Sequence, residues 1–217
     1  MPELSRRVQT FTDSVIRRMT RINNMTPGSI NLSQGFPDFD PPQEILDALK
    51  EAAEHGPHQY SITFGAKNFR DALAEMYTKK FAREIDPEKE IVVTCGGTEA
   101  MMAAMMTVCN PGDKVAVFSP FYENYGADAI LSGADPIYVP LVPPDFHYAS
   151  EALERAFQAG AKALILCNPS NPCGKVFTME EMEEIAELAK RYDAFVITDE
   201  VYEYIIYGEN RHISMAA

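Results

Sequence analysis

The chain has 217 residues, a formal net charge of −13 at pH 7 and a pI near 4.7, which argues against nucleic acid as its main partner because neutralising phosphates requires clustered Lys and Arg. Hydrophobic residues make up 46% of the sequence, enough for a sizeable core, yet no apolar run approaches the ~18 residues of a membrane span. The first twenty residues lack the apolar segment of a signal peptide, and the four cysteines show no CxxC spacing, so we expect reduced, mostly buried cysteines in a cytoplasmic protein.

The first eighty residues predict three helices separated by irregular segments. A polar arm over 1–13 precedes a helix over 14–24 that carries an apolar stripe. Pro42 suits the first turn of a second helix, which ends near His55, and Asn68 can cap a third. The segments between these helices are rich in proline, glycine and aromatic residues and predict loops.

From residue 91 onward, short apolar runs alternate with helical stretches. We predict strands near 91–94, 115–118, 137–140, 163–167 and 194–198. This alternation is the signature of an α/β fold, in which a mostly parallel sheet is sandwiched by helices.

The stretch from 162 to 204 forms one strand–loop–helix–strand unit. Its first strand ends in a turn with two prolines and a glycine, and Thr178 with Glu181 three residues later predicts a capping box that starts the helix. The second strand ends at Asp199. Because ligands of open α/β sheets bind beyond the carboxyl ends of the strands, the turn and Asp199 are candidate site positions.

A glycine pair precedes the helix predicted over 98–109. Gly96 and Gly97 allow close backbone approach, and the unpaired N–H groups of a helix start can seat one phosphate. A tight glycine turn with Thr98 as N-cap explains the same residues equally well. A dinucleotide fingerprint and a P-loop are both excluded, since GxGxxG is missing and Val176 follows the Gly-Lys pair where Ser or Thr is needed.

Asp199 requires a partner because a stranded carboxylate at the end of an apolar strand costs several kcal/mol. An Arg or Lys would make this a structural ion pair, whereas a protonated pyridine nitrogen would make it a ligand contact. Tyr202 lies three residues after Asp199, close enough for both to address one ligand ring. The two Asn-Pro pairs could simply form turns, or they could place the amides of Asn168 and Asn171 at this ligand-binding edge. Tyr122, just after another strand, could stack on a flat ligand or pack against a loop.

No metal site is predicted. The histidines lack metal-ligand spacing, and we expect all four to be surface or loop residues: His55, His58, His147 and His212.

Taken together, these motifs resemble the class I/II aminotransferases, the pyridoxal-phosphate family of the aspartate aminotransferase fold (fold type I). The strongest part is the run Asn168–Gly174 followed 25 residues later by Asp199-Glu200-Val201-Tyr202. Within the family, the chain is most similar to bacterial aromatic, methionine or kynurenine-type enzymes. Three further segments agree in order and spacing: Asn31–Asp38, Tyr60–Gly65 and Gly96–Ala100.

The resemblance implies a role for each matching residue. Gly97 and Thr98 would bind the cofactor phosphate through their N–H groups, and Tyr122 would stack on the pyridine ring. Asn171 and Tyr202 would bind the phenolic oxygen of the ring, and Asp199 would pair with the ring nitrogen.

Two more residues gain roles from the resemblance alone. Gly35 would line the substrate carboxylate together with Asn171, and Tyr60 would reach the cofactor phosphate of a neighbouring subunit, which implies a homodimer. The implied division is an N-terminal arm with part of a small domain over 1–41 and a cofactor-binding large domain over 42–217.

One departure from the family pattern concerns lysine. The family's Schiff-base lysine lies beyond the acidic strand end, and none of the nine lysines here follows Asp199. We therefore expect a truncated large domain that holds the cofactor but is inactive alone, and amino-group transfer between amino acids and 2-oxo acids in the full-length protein. A carbon–sulfur lyase or cyclopropane-forming synthase of the same fold, or a non-catalytic cofactor- or partner-binding module, are the alternatives.

Overall fold

A computed structural model describes residues 2–10 and 14–217, so part of the predicted N-terminal arm lies outside the described residues. The described chain forms two compact units, one over residues 14–63 and one over residues 2–10 and 64–217. The division at 41–42 inferred from the resemblance concerns the domains of the whole protein and stays a prediction.

The smaller unit contains two helices, α1 (Val15–Asn24) and α2 (Gln43–His55). Ser14 caps α1 by accepting a hydrogen bond from the N–H of Arg17 at 3.1 Å, which satisfies one unpaired donor of the first turn. Both helices agree with the sequence prediction.

The larger unit is an α/β layer structure. After a short 3-10 helix (Arg6–Gln9), its elements are α3 (Lys67–Phe81), α4 (Gly96–Val108), β1 (Lys114–Ser119), α5 (Asn124–Ser132), β2 (Asp135–Pro140), α6 (Ser150–Gln158), β3 (Ala161–Cys167), α7 (Met179–Arg191) and β4 (Phe195–Asp199). The strands lie in the order β2-β1-β3-β4, and every pair is parallel. The predicted parallel sheet is confirmed.

The core lies on both faces of this sheet. On β3, Leu164 and Leu166 pack into a cluster with α6 and α7, whereas Ala163, Ile165 and Cys167 pack into a second cluster with α4 and α5. A strand buried on both faces is an uninterrupted apolar run in the sequence, which is the pattern that predicted it.

The helix α7 begins as predicted. The hydroxyl of Thr178 accepts from the N–H of Glu181 at 3.3 Å, and the Glu181 carboxylate accepts from the N–H of Thr178 at 2.9 Å. This reciprocal capping box fixes the helix start directly after the Asn-Pro turn.

The strand predicted near 91–94 is wrong. In the structure these residues are neither helix nor strand, and the N–H of Val93 donates to the carbonyl of Phe64 at 3.0 Å. This contact does not extend into a ladder, and Val92 is exposed. The apolar run alone signalled a strand, but a strand also needs a neighbour with which to pair.

The four cysteines are free thiols, as expected, but they are less uniformly buried than predicted. Cys109 and Cys167 are buried, Cys173 is partly buried and Cys95 is exposed. No described helix has both the length and the apolar character needed to cross a membrane.

A buried carboxylate on α5 makes stability depend on pH. Asp128 is 5% exposed, its Oδ2 finds no hydrogen-bond partner among the described residues, and burial raises its pKa to about 6. The folded-state pKa thus lies above the unfolded value of ~3.9. The folded state therefore binds this proton more tightly, and the associated stability is present below pH ~4 and lost as pH rises through about 6.

We expect Asp128→Ala to be more stable than the parent chain by about 2 kcal/mol at pH 8, and to lose this advantage near pH 4. Urea unfolding at both pH values measures it. Glu187→Ala, which removes an exposed carboxylate from α7, should change stability by less than ~0.5 kcal/mol at either pH. An equal effect of Asp128→Ala at both pH values would contradict the assignment.

Candidate functional site

The candidate site lies at the carboxyl edge of the sheet in the larger unit. Because the strands are parallel, the segments after β1, β3 and β4 emerge at this edge. Cys167, the last residue of β3, pairs in register with Asp199, the last residue of β4. The N–H of Asn168 then donates to the Asp199 carbonyl at 3.0 Å, which fixes the Asn-Pro turn beside the acidic strand end.

Asp199 is partly buried, and neutral donors bind both of its carboxylate oxygens. The hydroxyl of Tyr125 donates to Oδ2 at 2.7 Å, and the N–H of Val201 donates to Oδ1 at 3.2 Å. The expectation that this carboxylate has a partner is confirmed. Since these two donors carry no charge, they orient the carboxylate without neutralising it.

Tyr125 is a site residue that sequence reasoning missed. It lies on α5, is 3% exposed, and contacts Asp199 across 74 positions of sequence. Burial, with smaller contributions from Cys167 and Asp199, raises the pKa of its hydroxyl, so the group stays protonated and donates. The only local sequence feature that could have indicated Tyr125 is its position three residues after Tyr122, because residues three apart lie on the same side of a helix.

Tyr122 packs against Tyr125 edge to face. The ring centroids are 5.7 Å apart and the planes are inclined at 80°. Tyr122 is partly buried, so the structure joins three residues of the site, Tyr122, Tyr125 and Asp199, in one row of contacts.

The two asparagines of the Asn-Pro turn have different environments. Asn168 is buried; its Nδ2 donates to the carbonyl of Ile213 at 3.0 Å, and its Oδ1 accepts from the N–H of Phe177 at 3.1 Å. Asn171 is partly buried, and its Nδ2 donates to the Tyr202 hydroxyl at 3.4 Å. Asn171 and Tyr202, to which the resemblance gives the same ligand oxygen, are therefore in contact, while Asn168 binds backbone groups.

The start of α4 differs from the prediction by two residues. The helix begins at Gly96, with Cys95 as its N-cap, so Thr98 lies in the first turn and is not the cap. The Glu99 carboxylate accepts from the N–H of Cys95, a bond that replaces the predicted cap and extends the helix toward the preceding segment. Gly96 has φ = +81°, which suits glycine.

The backbone N–H groups of Gly97 and Thr98 belong to the first helical turn, where no preceding carbonyl is available within the helix. This turn is exposed, and a Cβ added at Gly97 would meet nothing within 4 Å. The Thr98 hydroxyl accepts from the Asn124 side chain at 3.3 Å. The turn is thus open to a ligand and has a positive helix dipole behind it.

Two predicted site residues, Gly35 and Tyr60, belong to the smaller unit. Both are exposed. Asn31, four residues before Gly35, accepts at Oδ1 from the N–H of Ser33 at 3.0 Å, which shapes the turn that leads to Gly35.

A second polar cluster follows β4 and contains one of the four histidines. His212 lies in a loop, but its side chain is only 8% exposed, and burial lowers its pKa. Its Nε2 is 3.4 Å from Glu200 Oε2, and Glu203 lies within the same group of possible metal ligands. Lys80 pairs with Glu203, and the Ser214 hydroxyl donates to Glu200 at 2.9 Å. These contacts already satisfy the carboxylates, so we interpret the cluster as an anchor for this segment.

With this geometry in place, comparison with known proteins identifies the family. The profile described as "Aminotransferase class I and II" matches residues 27–217, and the chain belongs to this family. Members of the family use pyridoxal phosphate, and the predicted resemblance is confirmed.

Individual relatives agree with the family match. The chain is 37% identical over 97% of its length to a probable N-succinyldiaminopimelate aminotransferase of Mycobacterium tuberculosis, and 34% identical over 98% to kynurenine–oxoglutarate transaminase 3 of Rattus norvegicus. It covers 53% and 49% of those proteins, so it spans about half the length of the curated relatives it matches.

Solved structures show the same fold. The N-succinyldiaminopimelate aminotransferase of Mycobacterium tuberculosis superposes with a TM-score of 0.91 at 36% identity, over 99% of this chain and 56% of that one. An aspartate aminotransferase of Thermus thermophilus with maleate gives a TM-score of 0.91 at 32% identity, over 99% of this chain and 57% of that one.

Proposed function

We propose that this chain is the cofactor-holding part of a pyridoxal-phosphate-dependent aminotransferase that moves an amino group between an amino acid and a 2-oxo acid. The observation that carries the proposal is Asp199, a carboxylate held by Tyr125 and Val201 at the carboxyl end of a buried parallel strand. A carboxylate in that position suits a ligand with a protonated ring nitrogen.

The other site residues fit the remaining groups of the cofactor. The open first turn of α4 offers the N–H groups of Gly97 and Thr98 to a phosphate. Asn171 and Tyr202, already in contact, supply an amide and a hydroxyl for a phenolic oxygen. Tyr122 supplies an aromatic face. A phosphate, a basic ring nitrogen, a phenolic oxygen and a flat ring are the features that this donor set would bind.

When bound, the cofactor supplies an electron sink for cleavage of bonds at the amino acid's Cα. The chain's residues would prepare it for that task. Asp199 holds a proton at the ring nitrogen, because its negative charge favours the protonated form. Each unit by which this pairing raises the pKa of the ring nitrogen corresponds to ~1.4 kcal/mol. Asn171 and Tyr202 would orient the ring through its phenolic oxygen.

Lys175 does not supply a free amine to this site. It is the lysine adjoining the Asn-Pro turn, its Nζ lies 2.7 Å from Glu181, its side chain is 8% exposed, and it stands over the Phe177 ring at 4.9 Å. We therefore expect the 217-residue chain to bind the cofactor without transferring amino groups by itself, and we assign transfer to the whole protein.

The proposal extends to assembly, location and substrates by family resemblance. Tyr60 would contact the cofactor phosphate held by a neighbouring subunit in a homodimer, and Gly35 would border the substrate carboxylate together with Asn171. The free cysteines suit a reducing compartment such as the cytoplasm.

Titration of the chain with pyridoxal phosphate tests the proposal directly. Tyrosine fluorescence is a suitable probe because the sequence has no tryptophan, and absorbance of the ligand provides a second one. We expect saturable binding, and Asp199→Asn should weaken it by about 10- to 100-fold because a charge-assisted pair is lost.

Asp193→Asn is the matched control for this titration. Asp193 is exposed, and its φ of +52° is a conformation that asparagine tolerates. This variant should bind as the parent chain does. Equal binding by Asp199→Asn and the parent chain would refute the proposed role of Asp199.

A further inference from the structure

We infer that Tyr125 is a positioning residue that aims the Asp199 carboxylate at the ring nitrogen and so makes the site selective for a ligand with a basic ring nitrogen. This inference rests on the proposed function, and it assigns a role to a residue that none of the sequence motifs contains.

The first observation is the hydrogen bond itself. The Tyr125 hydroxyl donates to Asp199 Oδ2 at 2.7 Å, a length typical of a strong O–H···O⁻ bond. The N–H of Val201 holds the other oxygen, Oδ1, at 3.2 Å. With one donor on each oxygen, the plane of the carboxylate is fixed. An ionised carboxylate has about four acceptor positions, so positions remain for a ring nitrogen.

The second observation is the rigidity of Tyr125. Its side chain is 3% exposed and packs in the cluster formed by α4, α5 and β3. Its ring packs edge to face with the ring of Tyr122. A buried aromatic side chain with two torsions loses little freedom when it holds a partner, so its hydroxyl is a well-placed donor.

The third observation is a link from Tyr125 to the residues assigned to the phenolic oxygen. Cys167 and Tyr125 pack in the same core cluster and line one small cavity together with Asn171, and Cys167 Sγ accepts from the N–H of Asn171 at 3.4 Å. Asn171 in turn contacts Tyr202. Tyr125 therefore stands between the residue assigned to the ring nitrogen and the pair assigned to the phenolic oxygen.

Removing the hydroxyl should loosen one specific contact. In Tyr125→Phe, Oδ2 of Asp199 would face an apolar ring and lose its donor, so the carboxylate would turn toward other donors or water. Pairing with a ring nitrogen should weaken. Binding through the phosphate and the ring face should change little, because those groups are held by other residues.

The experiment compares two ligands on the same 217-residue chain. One is pyridoxal phosphate, and the other is its carbocyclic analogue, in which C–H replaces the ring nitrogen. The ratio of the two dissociation constants reports selectivity for the nitrogen. We expect the parent chain to prefer pyridoxal phosphate, Asp199→Asn to abolish that preference, and Tyr125→Phe to reduce it about fivefold.

Tyr148→Phe is the matched control. Tyr148 is also buried and donates to a carboxylate, Glu184 Oε2, at 2.6 Å, but it lies in the opposite core cluster. This variant should leave the preference unchanged within twofold. If Tyr125→Phe lowers affinity for both ligands equally, Tyr125 is only structural and the inference is overturned.

Two further outcomes are distinguishable. If the parent chain shows no preference and Asp199→Asn changes nothing, the proposed function fails and the inference fails with it. If Tyr125→Phe does not fold, fluorotyrosine at position 125 replaces it, since it keeps the side-chain shape and makes the hydroxyl a stronger donor. Fluorotyrosine should raise the preference about twofold, and an unchanged preference would overturn the inference.

Discussion

Replacing Asn168 with alanine should lower the free energy of unfolding by about 3 kcal/mol. Asn168 is 1% exposed, and its amide satisfies two backbone groups, the carbonyl of Ile213 at 3.0 Å and the N–H of Phe177 at 3.1 Å. Each buried backbone group left without a partner costs about 1–3 kcal/mol. Urea unfolding followed by far-UV circular dichroism measures the loss.

Asn210 provides the control for this substitution. It is exposed, and its Nδ2 donates to the carbonyl of Tyr207 at 3.4 Å. Asn210→Ala should therefore change stability by less than ~0.5 kcal/mol. A loss below ~1 kcal/mol for Asn168→Ala would mean that water or a shifted backbone satisfies the two groups.

Replacing Arg70 with methionine should cost about 4 kcal/mol. Its guanidinium is fully buried; Nε donates to the carbonyl of Gly65 at 3.1 Å, Nη1 donates to the carbonyl of Pro87, and Nη2 lies 3.2 Å from Glu88 Oε1. Methionine fills much of the volume but leaves these acceptors without a donor. Chemical unfolding of the variant gives the value.

Two variants show which acceptors matter. Lys67→Met removes an exposed cation from the same helix, where Lys67 pairs with Asp71, and should change stability by less than ~0.5 kcal/mol. Glu88→Gln removes the charge of a carboxylate that is about half exposed and should cost under ~1 kcal/mol. If Glu88→Gln is as damaging as Arg70→Met, the ion pair rather than the two carbonyls is the main source of stability.

Much of the larger unit could be predicted because its sequence signals are local. Four of the five predicted strands form, each from an apolar run between turn residues, and the Thr178–Glu181 pair has the spacing of a capping box. The strand predicted at 91–94 does not form because a strand requires a neighbouring strand with which to pair, and no local sequence pattern provides that information. The predicted start of α4 was two residues too late because the Glu99 carboxylate binds the N–H of Cys95, a bond that depends on side-chain placement.

The residues of the site divide in the same way, into those with a local sequence signal and those without one. Asp199 and Asn171 were accessible to sequence reasoning because each follows an apolar strand, where the fold concentrates ligand contacts. Tyr125 was not, since it is one residue of an ordinary helix and its partner Asp199 is 74 positions away in sequence. His212 lies in a loop, in agreement with the prediction, but the burial of its side chain was not predictable because histidine carries no clear preference for interior or surface.

The burial of β3 on both faces has a consequence for how a ligand would be received. Under the proposed assignment, the residues that would surround the ring are attached to elements packed in the two core clusters of the larger unit. The turn that would bind the phosphate lies exposed at the start of α4. Amide hydrogens of β3 should therefore exchange only on global unfolding, and those at the start of α4 much sooner. The ring would therefore bind to residues that are already fixed in place, whereas the phosphate would bind to a turn that can adapt to it.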